Sequence, residues 1–372
     1  MPSIYFRVND KIIFNHLLAK YESFVSKQPI EFVCLDEQYN QLNWLQEPTE
    51  TIDQLMDSHA INLRNKHQTL ILLWSGGTDS QTMYNVFKRN NIHLDEIIFF
   101  TGDEYEPWYT DKFVEWLKHN HYDPLTKITV KHRFDPVAKQ QIINNEDWLF
   151  QNITLIPKMV MGTCDPVMWE YCAQQYDGST WCLIIGLEQP KVFFKDGKYY
   201  SCQDSKYLLS AIGFENIECF YTEPLIALKQ SHLIKSMLKV RMKINNQDLD
   251  GFKFKTSSNA CYTAWQRGLG RHNEVLSGMS FYTKQVESNF EHELVNPTAI
   301  DGDLSRGYDR ALDALLKKHN DMANVFVRGI KNLLLEKDFC DHLIETSTNS
   351  NKSLIGKSIG EPIYSKLFCI GE

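Results

Sequence analysis

Six consecutive residues, Ser75-Gly76-Gly77-Thr78-Asp79-Ser80, carry the strongest chemical signal in the chain. Two adjacent glycines let a backbone turn with positive φ and approach a ligand closely. A turn of this kind that opens a helix gathers amide N–H groups into one concavity at the positive end of the helix dipole. That is an anion site by geometry. The hydroxyls of Ser75 and Ser80 add donors. Asp79 is out of place if the loop only holds an anion; beside a phosphate, a carboxylate is expected to bind Mg2+ or to cap the helix. A bare Ser-Gly-Gly would fit a plain glycine turn before a capped helix, so the flanking elements decide the reading.

Those elements read as alternating strands and helices. Thr69–Trp74 is a continuous apolar run, as expected of a strand buried on both faces of a parallel sheet, and Ser80–Arg89 has helical spacing. Glu96–Phe100, Lys127–Lys131 and Trp181–Gly186 are further strand candidates. Helices are expected at Tyr109–His119, Pro136–Ile143 and Pro166–Gln175. Strand-helix alternation implies right-handed crossovers and an α/β fold, a doubly wound and mostly parallel sheet. Upstream, Ser3–Val8 and Ile30–Leu35 read as strands, Ile12–Phe24 and Glu50–Leu63 as helices, and Lys66–Gln68 as a polar break. Downstream, Asp196-Gly197 is a hairpin signal between Val192–Phe194 and Lys198–Tyr200. Pro224 opens a helix, Ala311–Glu336 is helical, Thr346–Ser353 is a polar loop and the last residues are extended. The expected organisation is an N-terminal α+β segment (1–66), a nucleotide-binding α/β domain (67–200) and a mainly helical substrate or partner region (201–372).

The loop resembles the pyrophosphate-binding PP-loop, SGGxDS, of the N-type ATP pyrophosphatases, a superfamily that includes GMP, NAD and asparagine synthetases, tRNA-thiolating enzymes and the phosphoadenylylsulfate (PAPS) reductases. The resemblance implies an adenine-nucleotide α-hydrolase-like sheet with ATP above its carboxyl edge. It implies Ser75 to Ser80 as the phosphate loop and Asp79 as the Mg2+ ligand. It also implies cleavage of ATP between the α and β phosphates, adenylation of a substrate oxygen and release of pyrophosphate. Ile97–Glu106 (IIFFTGDEYE) is similar to the PAPS-reductase-like segment vDTGxExPET. That similarity places Phe99, Phe100 and Thr101, with Gly102 at the turn, beside adenine; the family's strand-ending Asp is Thr101 here. Ile184–Lys191 (IIGLEQPK) falls where the family has a strand ending in GxR: Gly186 corresponds, the arginine is Glu188, and Lys191 is the candidate to supply its charge. A surface lysine is the equal alternative for Lys191. The stretch GLExPxV and the closing SKxFxIG, Ser365–Gly371, resemble PAPS-reductase-like proteins of bacteriophages. The catalytic ECGxH cysteine motif of true PAPS reductases is absent, and Cys369 stands in FCIGE. An adenylating ATP pyrophosphatase is therefore expected ahead of a sulfonucleotide reductase or a non-catalytic nucleotide-binding subunit.

Composition bounds the rest. The 372 residues suit two or three domains, and a net charge of −8 argues against a wholesale polyanion binder. Between Pro224 and Lys284, however, ten Lys/Arg face three Asp/Glu. This is either a solvated helix face or a surface for a nucleotide or nucleic-acid acceptor. Nine scattered cysteines without a CxxC pair fit a reducing compartment, and no apolar run reaches membrane length, so a cytoplasmic location is expected. A homo-oligomer or a modification complex is the expected assembly. Asn351–Ser358 lacks the first glycine of a Walker A loop, and His292-Glu293 lacks the second histidine of HExxH. Asp301 with Asp303 reads as a turn before a metal site, and Cys164-Asp165-Pro166 as a helix start before a reactive thiol. Gly268–Glu274 reads as a helix end or a second phosphate grip.

Overall fold

The computed structural model describes residues 3–74, 78–101, 115, 117–119, 123–132, 171–186, 190–195, 197–203, 205, 212–245 and 363–372. Its centre is a parallel sheet of five strands. These are β4 (Thr69–Trp74), β5 (Glu96–Thr101), β6 (Lys127–His132), β7 (Trp181–Ile185) and β10 (Ile217–Cys219). The order is β10-β7-β4-β5-β6. The first strand of the sheet in sequence, β4, thus lies in its middle. The next two strands extend one way and the last two the other, so the order reverses between β4 and β7.

Alternate side chains of these strands enter two cores, as the two-residue period of a strand requires. Leu70, Leu72 and Trp74 pack on one face with α3 (Ile52–Lys66) and α4 (Thr78–Arg89). Ile71, Ile98, Leu183 and Ile185 pack on the other with β1 (Ile4–Val8), β3 (Glu31–Cys34) and α1 (His16–Ser26). Burial of both faces is why the strand sequences read TLILLW and WCLII rather than alternating. Helix α3 starts at a capping box: Thr51 accepts from the Gln54 N–H, and the Gln54 side chain accepts from the Thr51 N–H.

The N-terminal layer departs from the expected helix over Ile12–Phe24. Lys11–Ile13 is instead strand β2, antiparallel to β1, and α1 begins at His16. Asn9 and Asp10 both take positive φ, 47° and 64°. That tight two-residue turn folds β2 back on β1 and overrides the helical spacing. The expected hairpin at Asp196-Gly197 forms between β8 (Lys191–Lys195) and β9 (Lys198–Cys202), with Gly197 at φ +76°. Strand β11 (Phe368–Gly371) completes this three-stranded sheet along β9. The sheet packs on α5 (Pro224–Asn245) and on Tyr39 and Trp44, with Phe368 stacked on Trp44 at 4.5 Å. Tyr39 closes α2 (Asp36–Tyr39), a single turn with no counterpart in the expected elements.

The division expected at 200/201 falls inside β9, and β10, from beyond it, joins the central sheet. Of the helices expected at Tyr109–His119 and Pro166–Gln175, residues 115, 117–119 and 171–175 are described and helical. Those at Pro136–Ile143 and Ala311–Glu336, with the loop at Thr346–Ser353, lie outside the described residues.

Candidate functional site

Strand β4 ends at Trp74, and α4 begins four residues later at Thr78. The SGGTDS segment therefore spans the strand-to-helix junction at the carboxyl edge of the sheet, next to the point where the strand order reverses. Ser75, Gly76 and Gly77 lie outside the described residues. Thr78 opens α4, Asp79 is half-buried in its first turn, and Ser80 is 5% exposed. Trp74 fastens the strand end to the helix: its indole N–H donates to Gln81 Oε1 at 3.3 Å.

Gly186 follows β7, the parallel neighbour of β4. A Cβ built on it would stand 2.6 Å from Met83 Cε, 3.3 Å from Met83 Sδ and 3.4 Å from the carbonyl carbon of Asp79. The end of the Met83 side chain, from the second turn of α4, occupies the space a side chain would need, and the first turn lies at ordinary contact distance. The structure thus brings together Asp79 and Gly186, two residues the sequence patterns singled out separately. From the far side of β7, the Tyr221 hydroxyl donates to the Asp79 carbonyl oxygen at 2.7 Å. Tyr221 is fully buried, in a single turn of 3-10 helix (Phe220–Thr222) that follows β10. Burial, reinforced by the charge of Asp79, pushes its pKa well above the ordinary tyrosine range, so the hydroxyl remains a donor.

The other expected residues are placed as follows. Phe99 is 2% exposed, its ring tilted against Trp74 at 5.9 Å. Its side chain is core, and only its backbone belongs to the strand edge. Phe100 and Thr101 end β5, paired in register with Lys131 and His132, and Gly102 lies outside the described residues. Lys191 is half-buried at the start of β8, opposite Cys202.

Among the described residues, no group of three or more His, Cys, Asp or Glu could hold a metal ion. Asp79 is one carboxylate at the start of a helix. It fits Mg2+ in the usual nucleotide-site manner, where one or two carboxylates serve and phosphates and water complete the shell. The described cysteines are free; Cys34, Cys172, Cys182, Cys202 and Cys219 are buried. Burial pushes the Cys172 thiol up to about 12 and those of Cys34 and Cys182 well above the usual value. Cys369 is half-buried in β11, opposite Tyr200. Cys164, His292, Asp301, Asp303 and the Gly268–Glu274 and Asn351–Ser358 stretches lie outside the described residues.

The basic segment is partly committed to the fold. On α5, Lys229 pairs with Glu47 at 2.7 Å, Lys235 donates to the Ile370 carbonyl at 2.6 Å, and Lys239 donates to the Glu372 carbonyl at 2.5 Å. His232 holds the Trp44 carbonyl at 3.1 Å, and its burial lowers its pKa. Residues 246–284 lie outside the described residues. Among the described residues, no helix is long and apolar enough to cross a membrane.

Tyr221 and Met83 are the site residues that sequence reasoning missed. Tyr221 stands in FYTEP, a string with no motif, and meets Asp79 across 142 positions of chain. No protein-family model and no curated protein matches this chain.

Proposed function

We propose that this chain binds ATP on the SGGTDS turn and transfers its adenylyl group to an acceptor, releasing pyrophosphate. One observation carries the reading. The turn leaves the central strand where the order of the parallel sheet reverses, and Gly186 of the neighbouring strand lies against its helix. Open parallel sheets bind ligands outside their carboxyl ends at such a point. On this reading the sheet is a doubly wound, adenine-nucleotide α-hydrolase-like one.

The residues divide the work as follows. Backbone amides of Ser75 to Ser80, with the serine hydroxyls, hold phosphate oxygens, and Lys191 offsets their charge. The strand edge from Phe99 to Gly102 lies beside adenine, with backbone in place of the buried Phe99 ring. Asp79 holds Mg2+, which supplies charge neutralisation to the phosphates when bound. The acceptor oxygen forms a bond to the α-phosphorus, the bond to the bridging oxygen breaks, and pyrophosphate leaves with the electron pair. The chain's contribution is positioning and charge stabilisation. A nucleotide or nucleic-acid base is the acceptor class suggested by the basic segment beyond Pro224.

PAPS carries the same adenine nucleotide and suits the same loop. Its reduction requires a mobile thiolate, whereas Cys369 is held in a strand pair with Tyr200. This favours adenylation.

The test is product identity. Purified protein is incubated with Mg-ATP and a panel of tRNA, single- and double-stranded DNA and free nucleotides. AMP and pyrophosphate are expected, with yield raised by the true acceptor. The Asp79→Ala variant is expected to lose about a hundredfold or more of this activity while keeping its nucleotide-free thermal midpoint. ADP and phosphate as products would overturn the reading. Mg-ATP stabilisation without any product would replace it with a nucleotide-binding subunit.

A further inference from the structure

We infer that Tyr221 is a positioning residue for the nucleotide; this rests on the ATP reading above. The bond from its hydroxyl to the Asp79 carbonyl is 2.7 Å long and links two elements 142 positions apart. Its acceptor is unusual. A carbonyl in the first turn of a helix already has an intrahelical partner by the ordinary i to i+4 pattern, so Tyr221 uses its second lone pair. The bond therefore does not rescue an unmet backbone group. It fixes where the first turn of α4 stands.

Tyr221 is rigid enough for that task. On its two sides, the Thr222 hydroxyl donates to the Cys219 carbonyl at 2.8 Å, and the Tyr39 hydroxyl donates to the Thr222 carbonyl at 2.8 Å. Glu223 accepts from the Ile226 N–H at 2.8 Å, capping α5. The Tyr221 ring sits edge-on to Phe220, 5.5 Å away, inside the core under the sheet. Across the same turn of α4, Gly186 lies just beyond β7, its would-be Cβ at an ordinary contact distance of 3.4 Å from the Asp79 carbonyl carbon. The turn is therefore flanked from two directions by the ends of two strands.

The second consequence is electronic. The Asp79 carbonyl and the Ser80 N–H belong to one peptide unit. A hydrogen bond to the carbonyl polarises that unit and strengthens its N–H as a donor. That N–H belongs to the helix turn that faces the phosphates in the ATP reading. Tyr221 thus acts on ground-state nucleotide binding, through Asp79 and Ser80, without touching the nucleotide.

The test compares wild type, Tyr221→Phe and Ser231→Ala. Ser231→Ala removes an equally buried hydroxyl on α5, one that donates to the Ala227 carbonyl and takes no part in holding Tyr221 or α4. Rates of AMP and pyrophosphate release are measured over a range of Mg-ATP, together with nucleotide-free thermal midpoints. A net hydrogen bond corresponds to about fivefold in an equilibrium. Tyr221→Phe is expected to raise KM for Mg-ATP about fivefold with kcat within about twofold of wild type. Ser231→Ala is expected to lower the midpoint and leave KM unchanged. A lowered midpoint with unchanged KM in Tyr221→Phe overturns the inference and leaves the ATP reading intact. Absence of both turnover and Mg-ATP stabilisation in wild type removes the ATP reading and the inference with it. If Tyr221→Phe does not fold, hydrogen exchange on wild type decides. Protection by Mg-ATP of residues 219–223 along with 78–83 supports the inference, and protection confined to 78–83 refutes it.

Discussion

The two ends of the central sheet are built from opposite materials. At the amino end, charge is abundant and matched. Glu96, the fully buried first residue of β5, accepts from the hydroxyls of Tyr171 at 2.9 Å and Tyr176 at 2.7 Å, from the Thr129 hydroxyl, and from Lys127 at 3.1 Å. Next to it, Asp95 takes the Arg64 guanidinium at 2.8 Å and the Leu70 N–H at 2.7 Å. His93 meets Asp123 at 2.5 Å. At the carboxyl end the described residues offer a glycine packed against the end of Met83, one tyrosine hydroxyl on a carbonyl, and the half-buried Asp79. A network whose donors and acceptors are all engaged stabilises the fold and has nothing left for a ligand. A sheet edge made of helix starts and close backbone approaches has the reverse character. On the ATP reading proposed above, folding falls to one end and ligand work to the other.

The largest effect that separates the ends is expected at Glu96. A glutamine in its place can accept on one oxygen only, and its amide nitrogen then faces a hydroxyl or ammonium donor. Lys127 is half-exposed, so its share of the loss is screened; the half-buried tyrosines' hydroxyls dominate. Chemical denaturation of Glu96→Gln is expected to show a loss of roughly 2 kcal/mol or more, with the stabilisation by Mg-ATP unaltered at temperatures where the protein is folded. If Mg-ATP binding collapsed instead while stability held, the amino end would be part of the site and the contrast would fail.

Gly186→Ala probes the other end and is expected to act the opposite way. Gly186 does not take a left-handed backbone, so the substitution is a question of space alone. The far end of Met83 is flexible and can move, which limits the stability loss to about 1 kcal/mol. The Asp79 carbonyl carbon stands at ordinary contact distance from the added methyl group, so any shift reaches α4 through Met83. Misplacement of positioning groups is costly in rate, so AMP formation is expected to fall about tenfold, read by initial rates at saturating Mg-ATP. A variant that loses stability but keeps its rate would show that Gly186 only packs.

The same contrast explains what the sequence made legible. Strands buried on both faces leave continuous apolar strings, so Thr69–Trp74 and Trp181–Ile185 stand out with bounds correct to a residue. The glycine loop is legible because it is local: strand, turn and helix start adjoin in the chain. Strand β10 is not, since it is three residues, IEC, defined only by its pairing with β7. Ile12 and Ile13 suited a helical stripe, and the turn at Asn9-Asp10 decided otherwise. Charge counting could not distinguish a ligand surface from internal fastening, and Lys235 and Lys239 turned out to hold the carbonyls of the returning C-terminal residues. Tyr221 shows the same limit at the site. Its role exists only once β10 lies beside β7, and no spacing rule connects it to Asp79.

Arg64 offers the smallest and sharpest test of the division. Its guanidinium spans the last turn of α3 and the approach to β4 and β5. One nitrogen reaches Asp95 at 2.8 Å and the His93 carbonyl at 3.3 Å, and the other takes the carbonyls of His67 and Gln68. That fork also ties the last turn of α3 to the two residues that lead from it into β4. Lysine keeps the charge but offers a single point of donation, so it can serve Asp95 or the helix end and not both. Because the side chain is about a quarter exposed, water replaces part of what is lost. Arg64→Lys is therefore expected to cost about 1 kcal/mol in a denaturation midpoint. Its KM and kcat for Mg-ATP are expected to match wild type, because the fork stands at the end of the sheet opposite to Asp79. A change in KM would mean that α3 transmits its position to α4 along the packed core they share, and that the two ends are not independent.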